Sequence, residues 1–365
     1  MKKVSIVGAT GYVGIELMRL MHEHPEVEIK DLVSKSSSGR MLVDIYPQFR
    51  GSKLAEKKLI PLTDFEVEAS DLVFTALPHG VSQNIVGELY GKGTKIIDLS
   101  GDFRYHDLDI YEKWYGVEHK FPELAAEAAY GLVELNRQQI KKADLVANPG
   151  CYVTASLLGL LPLIDFKKIN PASIIVDAKS GVSGAGRSLK ENLLFTETHN
   201  SMKAYSPGTH RHGSEIEYIL GQYLEGAYSG DDSAESGAGA KALKNKAEVL
   251  FTPHLIPIKR GILATIYLEL KEASSQAEIR ELYRRQYEDE YFIQLLAEEL
   301  PEIKNVAGSN FAQIGFRYDE RTKRLIIVSA IDNMLKGAAG QAVQNMNLIF
   351  DLPESTGLEA TALFP

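Results

Sequence analysis

Apolar positions along the chain come in short runs broken by glycine and proline, and the style of the runs changes near residue 150. Val4, Ile6 and Val7 make a strand-like run, Gly8-Ala9-Thr10-Gly11-Tyr12-Val13-Gly14 turns the chain, and Ile15, Leu17, Met18, Leu20 and Met21 continue as a helix face ending near Pro25. Val27–Val33, Leu72–Leu77 and Lys95–Leu99 read as further buried strands, the last two closed by Pro78-His79-Gly80 and Ser100-Gly101-Asp102. Strands alternating with helices predict a doubly wound parallel sheet, an α/β fold of the Rossmann type. Beyond Cys151 the runs at Ala172–Ala178, Glu248–Phe251, Ile262–Leu270 and Leu325–Ala330 are longer and point to a mixed sheet in an α+β domain. Residues 337–350 read as a closing helix, and the Gly-, Ser- and Asp-rich stretch 228–240 as a mobile surface loop.

At 365 residues the chain exceeds what one hydrophobic core usually holds, so two domains are expected. A net charge of −9 argues against a nucleic-acid partner, which would call for a basic face. No apolar run approaches the ~20 residues that cross a bilayer. The N-terminal residues enter a glycine turn too soon for a signal peptide, and a single cysteine leaves no internal disulfide to form. A reducing cytoplasm suits both observations.

Gly8, Gly11 and Gly14 lie between the first strand and the first helix, where glycine lets backbone approach a pyrophosphate and the helix end offers free amides. The bland alternative is a tight turn with no ligand. Thr10, Tyr12 and Val13 would share the turn's contacts. An NAD-selective site usually places an acid at the end of the second strand. Here Ser34-Lys35-Ser36-Ser37-Ser38-Gly39-Arg40 offers hydroxyls and two cations instead, which favours NADP(H) through a 2′-phosphate unless the segment is only a solvated loop.

Cys151 follows an Asn148-Pro149-Gly150 turn and precedes an apolar helical run, Ser156–Leu163. A thiol at a helix N-terminus is favoured as thiolate, and the same amides suit an oxyanion. A lone cysteine is more often inert core, but core filler needs no such sharp presentation.

The segment Asn148-Pro149-Gly150-Cys151-Tyr152-Val153-Thr154, with Gly159-Leu160-Leu161-Pro162, resembles the active-site signature of the N-acetyl-gamma-glutamyl-phosphate reductase family. Similar motifs follow in family order: Leu77-Pro78-His79-Gly80, Asp98-Leu99-Ser100-Gly101-Asp102-Phe103-Arg104, Lys179-Ser180-Gly181-Val182-Ser183-Gly184, His210-Arg211-His212, Arg260-Gly261 and Asp332-Asn333 with Lys336-Gly337-Ala338-Ala339-Gly340-Gln341. The resemblance implies an NADP-dependent enzyme of arginine biosynthesis that interconverts N-acetyl-glutamyl phosphate and N-acetyl-glutamate semialdehyde with release or uptake of phosphate. Cys151 would carry a thioester. His212, or else His210, would be the acid/base, with Glu215 in the first turn of a helix starting near Gly213 to orient an imidazole. Arg104 would take the phosphate and Arg260 the α-carboxylate, with Arg211 and Asn148 as further substrate contacts. His79, Ser100, Ser183, Gly184 and Asn333 would meet the cofactor, and no metal spacing is present.

The implied organisation is a cofactor domain of residues 1–150 and 333–365 around a catalytic and oligomerisation domain of 151–332, in a homodimer or homotetramer. Competing readings are an aspartate-semialdehyde dehydrogenase, a reductase of carrier-bound acidic amino acid phosphates, a non-catalytic dinucleotide-binding regulator and a cysteine peptidase. The missing peptidase-type context around Cys151 opposes the last.

Overall fold

A computed structural model describes residues 1–164, 169–224 and 247–363; the stretch 228–240 read above as a loop lies outside them. Met1–Pro149 with Ala338–Glu359 form one compact unit, and Gly150–Gly337 with Ala360–Pro365 form the other. The chain thus passes from the first unit to the second between Pro149 and Gly150 and returns at Ala338, five residues later than Asn333, where the resemblance put the return.

The first unit is built on β1 (Lys2–Val7), β2 (Val27–Val33), β3 (Leu59–Ile60), β4 (Leu72–Thr75), β5 (Lys95–Asp98), β6 (Ala129–Tyr130) and β7 (Leu145–Ala147). Every pairing is parallel, in the order β3-β2-β1-β4-β5-β7-β6. Covered on both faces, β4 has all four residues buried, which is why it reads as a continuous apolar run. The order reverses at β1, and in such sheets ligands bind beyond the carboxyl ends on either side of that point. The helices Tyr12–Met21, Ser82–Leu89 and Val133–Lys142 make crossovers, and the helix Gly340–Ile349 packs back on the first and third of these. It is buried almost all round, so its polar residues bond inward: Gln341 Nε2 and Asn345 Nδ2 donate to Gly131 O, and Asn347 Oδ1 meets His24 Nε2 at 3.0 Å. The expected helix of 337–350 therefore starts three residues late, because Leu335–Ala339 forms a π-helical turn.

The second unit carries β8 (Ile174–Ser180), β9 (Lys203–Ala204), β10 (Val249–Leu255), β11 (Ile262–Glu269), β12 (Ile293–Leu295), β13 (Ala312–Asp319) and β14 (Arg324–Ile331) in a mixed sheet. Its order is β12-β13-β14-β11-β8-β10-β9. The apolar runs foreshadow β8, β10, β11 and β14, whereas β9, β12 and β13 were not anticipated. One face is covered by the helix Cys151–Ile164, which sits close on β11 and β14 because Gly159 has no side chain; a Cβ there would lie 2.9 Å from Ile266 Cδ1. On the other face Leu250, Ile175 and Tyr267 pair across β10, β8 and β11 and stay exposed.

Pro162 lies inside the Cys151–Ile164 helix, and having no N–H it leaves Leu158 O without its helical donor. Tyr287, on the helix Gln276–Tyr287, donates its hydroxyl to that carbonyl at 2.5 Å, and Tyr283, one turn earlier, donates to Gly159 O at 2.5 Å. A helix with an interior proline so keeps its buried carbonyls bonded. Among the described residues no helix is long and apolar enough to cross a membrane.

Candidate active site

The glycine turn of the first unit separates two demands. Gly8 has φ +91°, and a Cβ on it would lie 2.3 Å from Ala76 O; one on Gly14 would lie 2.5 Å from Gly8 O. Both glycines are therefore required by the packing of β1, β4 and the first helix. Gly11 differs, since a Cβ there would meet only Gly8 O at an ordinary 3.5 Å. The chain's own packing does not need that glycine, but a pyrophosphate brought against the backbone would. Gly11 caps the helix Tyr12–Met21 without a side-chain bond, and no acid stands in the first turn, so the helix end is suited to an anion. Tyr12 is exposed and Val13 half-buried beside it. Thr10 and Ser34 share a hydroxyl bond at 3.0 Å, and Tyr46 donates to Thr10 O at 2.7 Å, tying the turn to the end of β2. Lys35 and Arg40 follow, both exposed.

At the ends of β4 and β5 two buried carboxylates organise the loops. Asp98 accepts from Thr75 Oγ1 (2.6 Å), Ser82 Oγ (2.5 Å) and Ser100 Oγ (2.5 Å). Burial pushes its carboxyl above the usual range, and the three hydroxyls oppose that rise. Asp102 accepts from Gly80 N, Gln83 N and Tyr111 OH, all near 2.9 Å. Gly101 N donates to His79 Nδ1 at 2.9 Å, which puts the proton of a neutral His79 on Nε2. His79 is thus built into the rim of the carboxyl edge, while the Ser100 hydroxyl serves Asp98 and Asp102 N. Sequence reasoning passed over Asp98 and Asp102, although two acids bracketing Ser100-Gly101 were the available signal.

In the second unit, half-buried Cys151 opens its helix directly after Gly150. Gly150 O accepts from Thr154 N at 2.9 Å, and Gly150 N donates to Glu215 Oε1 at 3.0 Å. Glu215 is fully buried on the helix Arg211–Leu224, which starts two residues before the expected Gly213. That bond assigns Glu215 a task the sequence did not suggest, holding the turn that presents the cysteine. His210 Nδ1 accepts from His212 N at 3.1 Å, and the two rings lie 4.8 Å apart. Burial, then the charge of Arg211, pulls the His210 pKa down to about 4, so His210 is neutral at physiological pH with its proton on Nε2. Tyr152 lies edge-on to both histidines, its hydroxyl accepting from Tyr205 OH at 3.0 Å and donating to His254 O at 3.3 Å. Burial raises Tyr205 to about 12 and Tyr152 further, and the Cys151 sulfur adds to both rises.

The four polar residues given to the substrate are placed as follows. Arg104 is 5% exposed, donating from Nε to Asn148 O (2.8 Å) and from Nη2 to Leu99 O (3.3 Å). Asn148, 1% exposed, donates to Asp98 O and Ala338 O and accepts from Asn345 Nδ2. Both side chains brace the strand leading to the cysteine turn. Arg260 Nε lies 3.1 Å from buried Asp332 Oδ2, and Arg211 is half-buried next to the histidines. Asn333, also buried, accepts from Gly261 N at 2.7 Å and donates to Ser183 Oγ at 3.0 Å; Gly184 beside them is exposed. No group of three or more metal-ligating side chains occurs among the described residues.

A parallel nucleotide-type sheet followed by an α+β unit that opens on a helix-capping cysteine is the construction of a phosphorylating aldehyde dehydrogenase, and the chain matches that class directly. Residues 3–143 match the semialdehyde dehydrogenase NAD binding domain, and 151–333 the semialdehyde dehydrogenase dimerisation domain. Among solved structures, aspartate semialdehyde dehydrogenase II of Vibrio cholerae superposes with a TM-score of 0.70 at 18% identity over 96% of this chain and 98% of its own. The Candida albicans aspartate semialdehyde dehydrogenase with NADP gives 0.68 at 16% over 96% and 98%. At those identities the likeness establishes the fold. The N-acetyl-gamma-glutamyl-phosphate reductase of Halothermothrix orenii is 54% identical over the whole of both chains, and that of Caldicellulosiruptor bescii 47% over 98% of each. The chain belongs to the N-acetyl-gamma-glutamyl-phosphate reductase family.

Proposed function

We propose that the chain reduces N-acetyl-L-glutamyl 5-phosphate to N-acetyl-L-glutamate 5-semialdehyde in arginine biosynthesis, using NADPH and a thioester on Cys151. The observation that carries this is full-length identity of 54% to a reductase of that name, joined to a cysteine held at a helix start by Glu215. Cys151 Sγ attacks the acyl carbon, phosphate leaves, and a thioester remains. The amides at the start of the Cys151–Ile164 helix favour both the thiolate and the oxyanion of the tetrahedral intermediate. When bound, NADPH supplies the hydride that reduces the thioester. Collapse of the thiohemiacetal then releases the aldehyde and returns the sulfur as thiolate. His212 takes the thiol proton, gives it to the oxyanion formed by hydride transfer, and takes it back as the thiohemiacetal hydroxyl becomes the aldehyde carbonyl and the sulfur leaves as thiolate. Its neighbour His210 is a poor base with a pKa of about 4, which is why His212 is the better assignment. Arg211 and Arg260 face the anionic substrate, while Arg104 and Asn148 act by bracing the approach to the turn.

The residues around Gly11 fit a dinucleotide, and Lys35 and Arg40 after β2 suit a 2′-phosphate; the family resemblance gives Ser183, Gly184 and Asn333 of the second unit to the cofactor as well. Two copies associate through the outer face of the second sheet, around Leu250, Ile175 and Tyr267, in a cytoplasmic enzyme. The test follows NADP reduction with N-acetyl-glutamate semialdehyde and phosphate. Wild type should turn over only with phosphate present, and Cys151→Ser should be inactive. Equal rates in the two would remove the nucleophile; turnover without phosphate would remove the acyl-phosphate step.

A further inference from the structure

Gly337, in the π-helical turn that starts at Leu335, lies far from Cys151 in sequence but against it in the second unit. Asp332, at the end of β14, shapes the turn. Its Oδ1 accepts from Met334 N (2.8 Å) and Leu335 N (3.2 Å), and its carbonyl accepts from Gly337 N (3.0 Å). Its Oδ2 accepts from Gly308 N at 2.7 Å and pairs with Arg260. The product is a bare Cα facing the cysteine. A Cβ on Gly337 would lie 2.8 Å from Cys151 Cβ, 3.3 Å from Cys151 Cα and 3.3 Å from Ile331 Cδ1. The φ of Gly337 is outside the left-handed region, so the backbone does not call for glycine there. The contact with Cys151 does.

We propose that Gly337 is a positioning residue for the nucleophile. Its backbone is the wall behind Cys151 Cβ, and Asp332 holds that wall and Arg260 in one piece. The inference rests on the reading of Cys151 as nucleophile. A methyl group at 337 cannot fit at 2.8 Å, so either the turn or the start of the Cys151 helix must shift. Such a shift moves the sulfur relative to the helix amides that favour its thiolate.

Gly337→Ala tests this. Because Cys151 is the only cysteine, iodoacetamide labels one sulfur, forming an S–C bond as iodide leaves and the thiol proton passes to buffer. The rate against pH reports the thiolate without requiring turnover. The expected result is a pH midpoint moved upward and a kcat lowered about 100-fold, with the NADP Kd within about twofold of wild type. Ile331→Val removes the other neighbour of the new methyl group, so the double variant should regain about tenfold in kcat and part of the midpoint. It also carries the test if the single variant does not fold. A Gly337→Ala protein with a wild-type alkylation profile and kcat overturns the proposal, as does a lost kcat with an unmoved profile. Failure of the nucleophile reading would show separately, as retained turnover in Cys151→Ser.

Discussion

Tyr287→Phe removes one oxygen, and its cost follows from Pro162. In the Cys151–Ile164 helix, Leu158 O faces the residue that cannot donate, and the Tyr287 hydroxyl at 2.5 Å replaces the missing N–H. Tyr287 is 3% exposed and Leu158 fully buried, so no solvent repairs the loss. A buried carbonyl left without a donor costs about 1–3 kcal/mol. The strength of the prediction lies in its dependence on residue 162. Pro162→Ala restores an N–H that can donate to Leu158 O, and in that background Tyr287→Phe should cost about 1 kcal/mol less than in wild type. Urea unfolding of the four proteins closes the cycle. Far-UV circular dichroism is the suitable probe, because the single tryptophan, Trp114, belongs to the other unit. Equal costs of Tyr287→Phe in both backgrounds would refute the link between the proline and the tyrosine.

Three further outcomes follow from the geometry. Gly11→Ala should weaken NADP binding about tenfold or more with little change in melting temperature, whereas Gly8→Ala should cost about 2–4 kcal/mol of stability; calorimetry separates them, and equal destabilisation would undo the distinction. His210 has a folded pKa of about 4, lowered from its ordinary value, so as pH falls below about 6.5 the unfolded chain binds a proton the folded chain refuses. Stability should therefore decline through that window by roughly 1–3 kcal/mol, and His210→Gln should flatten the decline; parallel urea midpoints from pH 7 to 4.5 would contradict it. Ile175→Lys puts a charge in the exposed row of the second sheet and should shift sedimentation toward monomer, an unchanged assembly counting against that face.

The alternation of apolar runs and glycine turns was enough to reveal the first sheet apart from the two-residue edge strands β3 and β6, because parallel strands buried on both faces leave unbroken runs such as Leu72–Thr75. The strand Ala312–Asp319 escaped for the opposite reason. Gln313, Gly315 and Arg317 alternate with Ala312, Ile314, Phe316 and Tyr318, the period of a strand without an unbroken apolar run, and Gly315 is there because Glu299 O would lie 2.7 Å from a Cβ. The cysteine was legible, since an Asn-Pro-Gly turn before an apolar helix is a local signal. The contacts of Gly337 and Glu215 with the start of that helix were not, nor were those of the Asp98–Asp102 pair inside the first unit: all join residues distant in sequence, and acids buried by hydroxyls and amides look in sequence like surface charge.

The first unit is written in two pieces, and the ribosome delivers them far apart in time. Its sheet is complete once β7 has emerged, yet the helix Gly340–Ile349 that bonds Gly131 O and His24 comes only after the whole intervening unit. At about 5–20 residues per second the nascent sheet waits roughly 10–40 s with that surface bare. A period of uncovered core surface during synthesis is thus built into the order of the gene.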